Sequence, residues 1–467
     1  MYDTVVRNGT VVTPERAFEG DVGVRDGAIA AVGAPRSLSG ETVVDATGLT
    51  VFPGFVDSHV HVNLSLGEFT TNDSFADATA AAARGGTTTI VPFAIPDEGE
   101  SPLAAFERRR EEADGSAYVD YGLHGCATRA DDRTLAELPD LIDRGAASVK
   151  VFTVYRDRLM LTHGEIRDVL EAVAAGGGLC LVHAEDEAII AHLIERLRRR
   201  GETDYSVHAA TRPAVSETTA MWAVADLVEE TGCPTLLVHV SAGRAGTVLE
   251  SARDRRLPLL AETCPHYLAL TEELYDRSDG EKYVCSPPLR DGTSRDALWS
   301  MLEDGLVQTV NSDHCGYDAA QKRRHRDDVT RVPNGLPGVE TRSAVLYSEG
   351  VATGRLSPTA FVRLTSTNVA RMLGLYPRKG TVAVGADADL VLFDPDAEWT
   401  VDGSALRQAS DYSPFDGREV RGRPVTTLVR GRPVVEGGDL VGAPDHGTFL
   451  PTSGADAPDL FSGWHRP

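Results

Sequence analysis

The chain has 467 residues, a mass of 50.0 kDa and the composition of a globular protein, so it exceeds one average domain. Its formal net charge of −24 argues against nucleic acid or an anionic membrane as a partner. No apolar stretch approaches the roughly 20 residues needed to cross a membrane, and the N-terminus lacks the basic and apolar regions of a signal peptide. We therefore expect a cytoplasmic protein.

The two ends of the chain have the pattern of short β-strands separated by turns. Strands are predicted at 2–6, 11–13, 22–24, 28–32 and 42–45, and again at 381–384, 390–393, 425–430 and 432–435. The dipeptides Asn8-Gly9 and Asp26-Gly27 predict hairpin turns in the first group. Because two separate β extensions would leave more sheet edges exposed, residues 1–50 and 378–442 are predicted to form one small β-sandwich.

Between these ends, apolar strands alternate with helical segments. Strands are predicted at 51–56, 87–93, 120–127, 148–152, 179–182, 235–240, 258–263 and 306–310. Helices are predicted at 75–84, 101–113, 135–144, 165–175, 187–200, 216–231, 245–256 and 295–305. This eightfold alternation is typical of a TIM barrel, which takes about 250 residues or more. We therefore predict an α/β fold in which residues 51–377 form a (β/α)8 barrel and residues 443–467 form a C-terminal tail.

Lys150 is conspicuous because it lies within the apolar strand 148–152 and is one of only four lysines in the chain. Burial disfavours a charged ammonium and lowers its pKa, which makes the neutral, nucleophilic amine accessible. Such an amine can take up CO2 to become N6-carboxylysine, a carbamate whose two oxygens can bridge two metal ions. The alternative for Lys150 taken alone is a buried ion pair with a carboxylate.

Metal-capable side chains also follow four other predicted strands. His59 and His61 come after strand 51–56, and as residues i and i+2 of an extended segment they point the same way. Three more lie at or near the carboxyl ends of later strands: His183, His239 and Asp313. Each histidine alone is compatible with an ordinary hydrogen-bonded polar group. Together with Lys150 they predict a metal centre, since sites on this fold lie at the carboxyl ends of the strands.

Four motifs on these strands resemble those of the amidohydrolase superfamily, in its cyclic amidase branch. They are Pro-Gly-Phe-Val-Asp-Ser-His-Val-His at 53–61, Gly-Gly-Thr-Thr-Thr at 85–89, Ser-Val-Lys-Val-Phe at 148–152 and Ser-Asp-His at 312–314. Further segments resemble the D-hydantoinase and dihydropyrimidinase family: 154–155, 159–162, 286–290, 332–340, 378–385 and 411–417. The resemblance extends from about residue 2 to residue 450. It implies that a small cyclic ureide is hydrolysed to an N-carbamoyl amino acid.

The resemblance also implies how the metal-capable residues share two divalent ions. His59, His61 and Asp313 would hold the first ion. His183 and His239 would hold the second, and carboxylated Lys150 would bridge the two. Zn²⁺ is the first expectation because nitrogen and oxygen ligands suit it, and Mn²⁺ or Co²⁺ could replace it.

Catalytic and substrate-binding roles follow from the same resemblance. Asp313 would act first as a general base and then as a general acid, passing a proton to the leaving nitrogen. Tyr155 would donate a hydrogen bond to the developing oxyanion, although it is also compatible with a tyrosine packed at the barrel rim. Ser286 and Asn334 would bind the ureide edge of the ring, although from the residues alone both are ordinary turn residues. Four other polar residues are expected to be structural: Glu185, His208, Arg212 and His314.

Two alternative functions stay open. Hydantoinases usually follow the paired histidines with Leu-Asp, whereas this chain has Val62-Asn63, and both Asn63 and the segment 262–268 resemble allantoinases. Dihydroorotase activity is disfavoured because Asn63 cannot replace the arginine that binds the substrate carboxylate there. A non-catalytic scaffold related to dihydropyrimidinase is the alternative from another class, but every ligand position is filled. The family also implies a homotetramer or homodimer.

Overall fold

The computed structural model describes residues 1–452, so residues 453–467 of the predicted tail lie outside the described residues. The described strands form a ten-stranded sheet, a nine-stranded sheet and one two-stranded hairpin, Ser65–Leu66 with Phe69–Thr70. The ten-stranded sheet comes from the middle of the chain and the nine-stranded sheet from its two ends.

The ten-stranded sheet is parallel throughout and curls into a TIM barrel, which confirms the predicted barrel. Its eight principal strands, in order, are Phe55–His61, Thr87–Ala94, His124–Cys126, Val149–Phe152, Cys180–His183, Thr235–Leu237, Leu259–Thr263 and Thr309–Val310. The short strand His314–Cys315 continues the last of them and pairs with Phe55–His61, which closes the ring. Asp120–Tyr121 adds a second short partner for Thr87–Ala94. Nine of its ten strands are buried along their whole length, as parallel strands covered on both faces require.

Helices surround the barrel, and consecutive helices pack side by side. The α-helices are Phe75–Arg84, Pro102–Ala113, Asp132–Asp143, His163–Ala175, Glu187–Arg198, His208–Thr211, Ala214–Thr231, Ala245–Asp254, Pro265–Ala269, Gly292–Glu303, Ala319–Arg323, Arg342–Leu346, Pro358–Val362 and Asn368–Met372. The 3₁₀-helices are Tyr205–Val207, Glu272–Asp276, Gly280–Tyr283 and Gly403–Ala405, and Tyr347–Val351 and Arg363–Thr367 are π-helical. All eight predicted helices are confirmed, with ends within three residues of those expected. No helix in residues 1–452 is long and apolar enough to span a membrane.

The nine-stranded sheet draws on both ends of the chain. Its strands are Tyr2–Val12, Ala17–Arg25, Ala28–Gly33, Gly40–Asp45, Thr50–Pro53, Leu390–Thr400, Glu419–Val429, Arg432–Glu436 and Asp439–Leu440. Thr50–Pro53 joins the two halves, because it is parallel to Tyr2–Val12 and antiparallel to Leu390–Thr400. The two ends therefore share one sheet. Its arrangement as a separate sandwich domain stays a prediction.

A buried cluster of charges ties this sheet to the barrel. Lys379 Nζ lies 2.6 Å from Asp120 Oδ2, at the amino end of the barrel, and 2.7 Å from Asp389 Oδ2, which directly precedes strand Leu390–Thr400. Asp387 Oδ2 is 3.0 Å from the same ammonium. Because Lys379, Asp120 and Asp389 are buried, the ammonium satisfies charges that water cannot reach.

The predicted turn at Asn8-Gly9 is wrong. Tyr2–Val12 is one continuous strand, and its pairing with Ala17–Arg25 shifts register between Val6 and Gly9. Asn8 has φ of 62°, so the asparagine that favours a turn here forms a β-bulge instead. The Asp26-Gly27 hairpin is confirmed, with positive φ at both residues joining Ala17–Arg25 to Ala28–Gly33.

Several further strand predictions are wrong in detail. The predicted strand 120–127 is two short strands, Asp120–Tyr121 and His124–Cys126, and the predicted strands 235–240 and 306–310 are the shorter Thr235–Leu237 and Thr309–Val310. The apolar run 51–56 is two strands, since Thr50–Pro53 pairs within the terminal sheet and Phe55–His61 begins the barrel. Residues 381–384 form a turn segment rather than a strand, although Thr381 and Val382 are buried. Both 51–56 and 381–384 contain buried residues, but burial alone does not make a segment one strand.

Candidate active site

A cavity of about 410 Å³ opens at the carboxyl ends of the barrel strands. All nine residues singled out from the sequence line it: His59, His61, Lys150, Tyr155, His183, His239, Ser286, Asp313 and Asn334. The parallel strands carry their carboxyl ends to one edge, so residues far apart in sequence meet there.

Two histidines of the first strand converge on Asp313. His59 Nε2 lies 3.1 Å and His61 Nε2 lies 3.3 Å from the same oxygen, Asp313 Oδ1. Ligand atoms of the three side chains lie within 4.8 Å of one another, close enough to bind one ion. Burial alone would raise the pKa of Asp313, but the neighbouring His59 and His61 hold that pKa below its usual value. The carboxylate is therefore ionised, as a metal ligand must be.

His183 and His239 form a second pair beside Lys150. Their ring centroids lie 4.4 Å apart with the planes at 73°, and the His239 ring lies 5.4 Å from that of His59. Lys150 Nζ lies 5.3 Å from the centroid of Phe93 and 5.3 Å from that of Phe152. No carboxylate of residues 1–452 forms an ion pair with it, which removes the simpler explanation of a buried salt bridge. Burial lowers the pKa of Lys150 to about 8.

Unpaired buried atoms indicate that this cluster fits a metal centre. Within the described chain, Lys150 Nζ, His61 Nδ1 and His239 Nδ1 are buried and make no hydrogen bond. An unsatisfied buried polar group costs about 1–3 kcal/mol. Burial lowers the pKa of His61, His183 and His239, so their imidazoles are neutral and present lone pairs. Nitrogen and oxygen donors of this kind suit a divalent ion such as Zn²⁺.

Backbone strain coincides with the candidate residues. Tyr155, His239 and Asp313 have φ of 73°, 43° and 46°, in the left-handed region that residues other than glycine rarely adopt. Such conformations cost about 1–3 kcal/mol each and cluster at functional sites. Three of the nine candidates therefore occupy positions that the fold holds against a local preference.

Glu262 is a residue of the candidate site that the sequence reasoning missed. Its Oε1 lies 2.6 Å from His59 Nδ1 and also accepts the backbone N–H of His239 at 3.2 Å. Its Oε2 accepts a hydrogen bond from Asn311 Nδ2 at 2.6 Å. Since a carboxylate only accepts, His59 Nδ1 carries the proton and His59 Nε2 is left free for a metal. The available signal was a carboxylate inside the apolar run 258–263.

Glu185 connects the second histidine pair to the substrate side of the cavity. Its Oε2 lies 2.8 Å from His183 Nε2 and accepts hydrogen bonds from Arg212 Nη1 and Ser286 Oγ, each at 2.7 Å. Burial alone would raise the pKa of Glu185, but Arg212 and His183 outweigh it and lower that pKa. Glu185 and Arg212 thus have the structural roles expected of them, while both lie next to candidate functional groups.

Tyr155 keeps its proton in this environment. Burial raises its pKa to about 12, and its ring lies 5.7 Å from the Arg212 guanidinium carbon. Its backbone N–H donates to Glu187 Oε2 at 3.2 Å, which holds the turn. A protonated phenol at the cavity wall can donate a hydrogen bond to a carbonyl oxygen.

Lys322 holds together the two loops that carry Ser286 and Asn334. Its fully buried ammonium donates to Val284 O and Pro333 O, each at 2.7 Å. His208 Nε2 donates to Cys285 O at 2.6 Å, so His208 anchors this loop as expected. Among residues 1–452, the carbonyl oxygen of the Asn334 side chain is buried without a hydrogen-bond partner, which leaves it able to accept a hydrogen bond from a substrate.

His314 has a structural role. Its Nε2 lies 3.1 Å from Asp73 Oδ2, and its Nδ1 accepts the backbone N–H of Gly338 at 3.0 Å. Both ring nitrogens are thereby used, so His314 is fixed beside Asp313 without being available as a ligand.

Comparison with known proteins identifies the protein family. The Amidohydrolase family matches residues 50–434, so the chain belongs to this family. Within it, the chain is 41% identical to a D-hydantoinase of Geobacillus stearothermophilus over 450 residues, 96% of each protein. It is 40% identical to a D-hydantoinase of Ralstonia pickettii over 451 residues, covering 96% of this chain and 98% of that one. The crystal structure of a dihydropyrimidinase from Brevibacillus agri superimposes with a TM-score of 0.94 at 38% identity, covering 96% of this chain and 98% of that chain. The resemblance predicted from the strand motifs is confirmed.

Proposed function

We propose that this protein hydrolyses the cyclic amide bond of hydantoins and dihydropyrimidines to give N-carbamoyl amino acids. One observation carries the proposal: four histidines, Lys150 and Asp313 line one cavity in a chain about 40% identical to D-hydantoinases over nearly its whole length. The alternative of a non-catalytic scaffold requires ligand positions to be lost, and here none is.

We propose that the cavity binds two divalent metal ions, with Zn²⁺ as the first expectation and Mn²⁺ or Co²⁺ as substitutes. His59, His61 and Asp313 would hold one ion. His183 and His239 would hold the other, with Lys150 between them as N6-carboxylysine. Once bound, the ions would supply an activated water and polarise the amide carbonyl.

The chain's own residues would move the proton. Asp313 Oδ1 accepts a proton from the attacking water, since its carboxylate is ionised at neutral pH. Asp313 then donates this proton to the ring nitrogen as the C–N bond breaks, which leaves a carboxylic acid and a free ureido group. Asp313 is ionised again as soon as this proton has moved to the nitrogen, and the new carboxylic acid loses its own proton to solvent.

Other residues would orient the substrate. The Tyr155 hydroxyl donates a hydrogen bond to the carbonyl oxygen as negative charge develops on it, and a pKa of about 12 keeps that donor protonated. Ser286 and Asn334 would bind the ureide edge of the ring from their two adjoining loops. Because these loops are fixed in position, they would orient the scissile carbonyl before the water attacks it.

We also propose an organisation around this site. Residues 51–377 would be the catalytic barrel, residues 1–50 and 378–442 would form a β-sandwich, and residues 443–467 would form a C-terminal tail. The protein would act in the cytoplasm as a homotetramer or homodimer on small-molecule substrates.

A substrate panel tests the proposed function. Purified protein loaded with Zn²⁺ is assayed on dihydrouracil, a neutral 5-substituted hydantoin and allantoin, with the N-carbamoyl product measured directly. We expect turnover of the hydantoin and dihydrouracil, and its loss in Asp313→Asn. Turnover of allantoin alone would assign the protein to allantoinase, and no turnover of any of the three would contradict the proposal.

A further inference from the structure

We propose that the cavity accepts hydantoins whose 5-substituent is a short aliphatic chain ending in a carboxylate, and that Arg158 binds this carboxylate. The inference rests on the proposed function and names the substrate class for the same site. It comes from an unpaired cation that neither the metal centre nor the ring-binding loops use.

Arg158 differs from the other arginines of the cavity in having no counter-ion. It lines the cavity, and within residues 1–452 no carboxylate lies within ion-pair distance of it. Its guanidinium donates one hydrogen bond, from Nη2 to Ser65 O at 3.3 Å, although the group has five N–H donors. By contrast, Arg212 pairs with Glu185 at 2.7 Å and Arg331 pairs with Glu68 at 2.9 Å.

The position of Arg158 is over the mouth of the cavity. Its backbone N–H donates to Tyr155 O at 3.2 Å, so the arginine belongs to the same turn as the candidate oxyanion donor. Its side chain crosses to the opposite loop, where it bonds Ser65 and where Nη1 lies 3.9 Å from the place of a Cβ on Gly67. A 5-substituent that extends from the ring toward this turn would come within reach of the guanidinium.

Part of the cavity lining is apolar. Leu64, Ile95, Phe152 and Leu159 line the same cavity. These side chains suit the methylene groups of a substituent, whereas a terminal carboxylate requires a cation that can be approached. An aliphatic chain with an anionic end matches both features.

The acidic residue at the mouth does not cancel this preference. Glu68 lines the cavity, but its carboxylate is bonded to Arg331 at 2.9 Å, His325 at 2.8 Å and Arg324 at 3.3 Å. Its charge is thus compensated within the protein, while that of Arg158 is not. Although the chain has a net charge of −24, an uncompensated cation at the cavity mouth attracts an anionic substituent locally.

The test compares an acid with its neutral isostere. Holoenzyme is assayed on hydantoin-5-acetate and hydantoin-5-acetamide, which have nearly the same shape, and the readout is the ratio of their kcat/KM values. We expect the acid to be preferred by at least about tenfold, with the preference falling at high salt because the contact is exposed. Arg158→Gln is expected to bring the ratio close to one, and Arg158→Lys to retain part of it.

Arg156→Gln is the matched control, since Arg156 is an exposed arginine two residues away that does not line the active-site cavity. It should keep the wild-type ratio. Hydrolysis of both hydantoins at equal rates by the wild type would overturn this inference and leave the proposed function intact. An unchanged ratio in Arg158→Gln would also overturn it. If the protein opens neither of these two rings nor that of a neutral 5-alkyl hydantoin, this result would count against the proposed function itself.

Discussion

Replacing Glu262 by glutamine should weaken metal binding while preserving the shape of the site. Glu262 accepts hydrogen bonds at 2.6 Å from His59 Nδ1 and at 2.6 Å from Asn311 Nδ2, one on each oxygen. Glutamine offers a single acceptor oxygen, so its NH2 group must face one of these two donors. The negative charge that fixes the proton on His59 Nδ1 is lost as well.

The expected magnitude follows from these contacts. Losing one charge-assisted hydrogen bond costs about 1.5–3 kcal/mol. Groups that orient metal-binding histidines typically contribute 10–100-fold in metal affinity, which is about 1.4–2.7 kcal/mol. The two estimates agree, so Glu262→Gln should bind Zn²⁺ about 10–100-fold more weakly than the wild type.

Competition against a chromogenic zinc chelator measures this affinity, and hydantoin hydrolysis is followed in parallel. Activity should be low at limiting metal and should recover at excess metal. Glu340→Gln is a matched control, because Glu340 is a buried carboxylate that accepts the Arg407 backbone N–H at 2.6 Å and does not line the cavity. Zinc affinity in Glu262→Gln within twofold of wild type would refute the role assigned to Glu262.

Three further predictions concern the buried lysines. Lys150→Ala should lose metal and activity, with partial recovery in added short carboxylates that replace the carbamate; full activity in this variant, measured alongside metal content, would contradict the bridging role. Lys322→Met removes the two hydrogen bonds that the ammonium donates to Val284 O and Pro333 O. KM for all ring substrates should therefore rise about tenfold or more, with metal content unchanged. As a control, replacing the half-buried Lys282 by methionine should leave the steady-state kinetics as in the wild type. Lys379→Met leaves Asp389 without a cation among residues 1–452, while Asp120 keeps Arg430 and Asp387 keeps Arg378. Urea unfolding should show a loss of about 3–5 kcal/mol, and the folded fraction should keep its KM. Unchanged stability would refute the structural role of that cluster.

The barrel could be predicted from the sequence because its local signals agree. Apolar strands are separated by amphipathic segments, and capping residues mark several helix starts: Ser74 and Thr162 each accept the N–H of the residue three positions later. The predictions that failed concern residues whose local signal has more than one structural solution. Asn8-Gly9 is compatible with a hairpin or with a bulge, and only the pairing of the strand with Ala17–Arg25 decides between them.

The candidate site divides in the same way. The six metal-capable residues could be predicted because each lies within an apolar strand or near its carboxyl end. Their support could not, because it depends on contacts between distant parts of the chain: Glu262 meets His59 across 203 positions, and Ser286 meets Glu185 across 101. In the sequence, Lys322 is likewise one charged residue among several in a polar helix. Its role follows only from the two carbonyl groups that it binds in the folded protein.

The most direct measurement of the central claim is the recovery of activity by metal-free protein. After removal of metals with a chelator, Zn²⁺ is added in steps in the presence of bicarbonate, and ring opening of a 5-substituted hydantoin is followed together with bound metal. We expect activity to rise with bound metal and to saturate at two ions per chain. Full ring-opening activity in protein without bound metal would contradict this expectation.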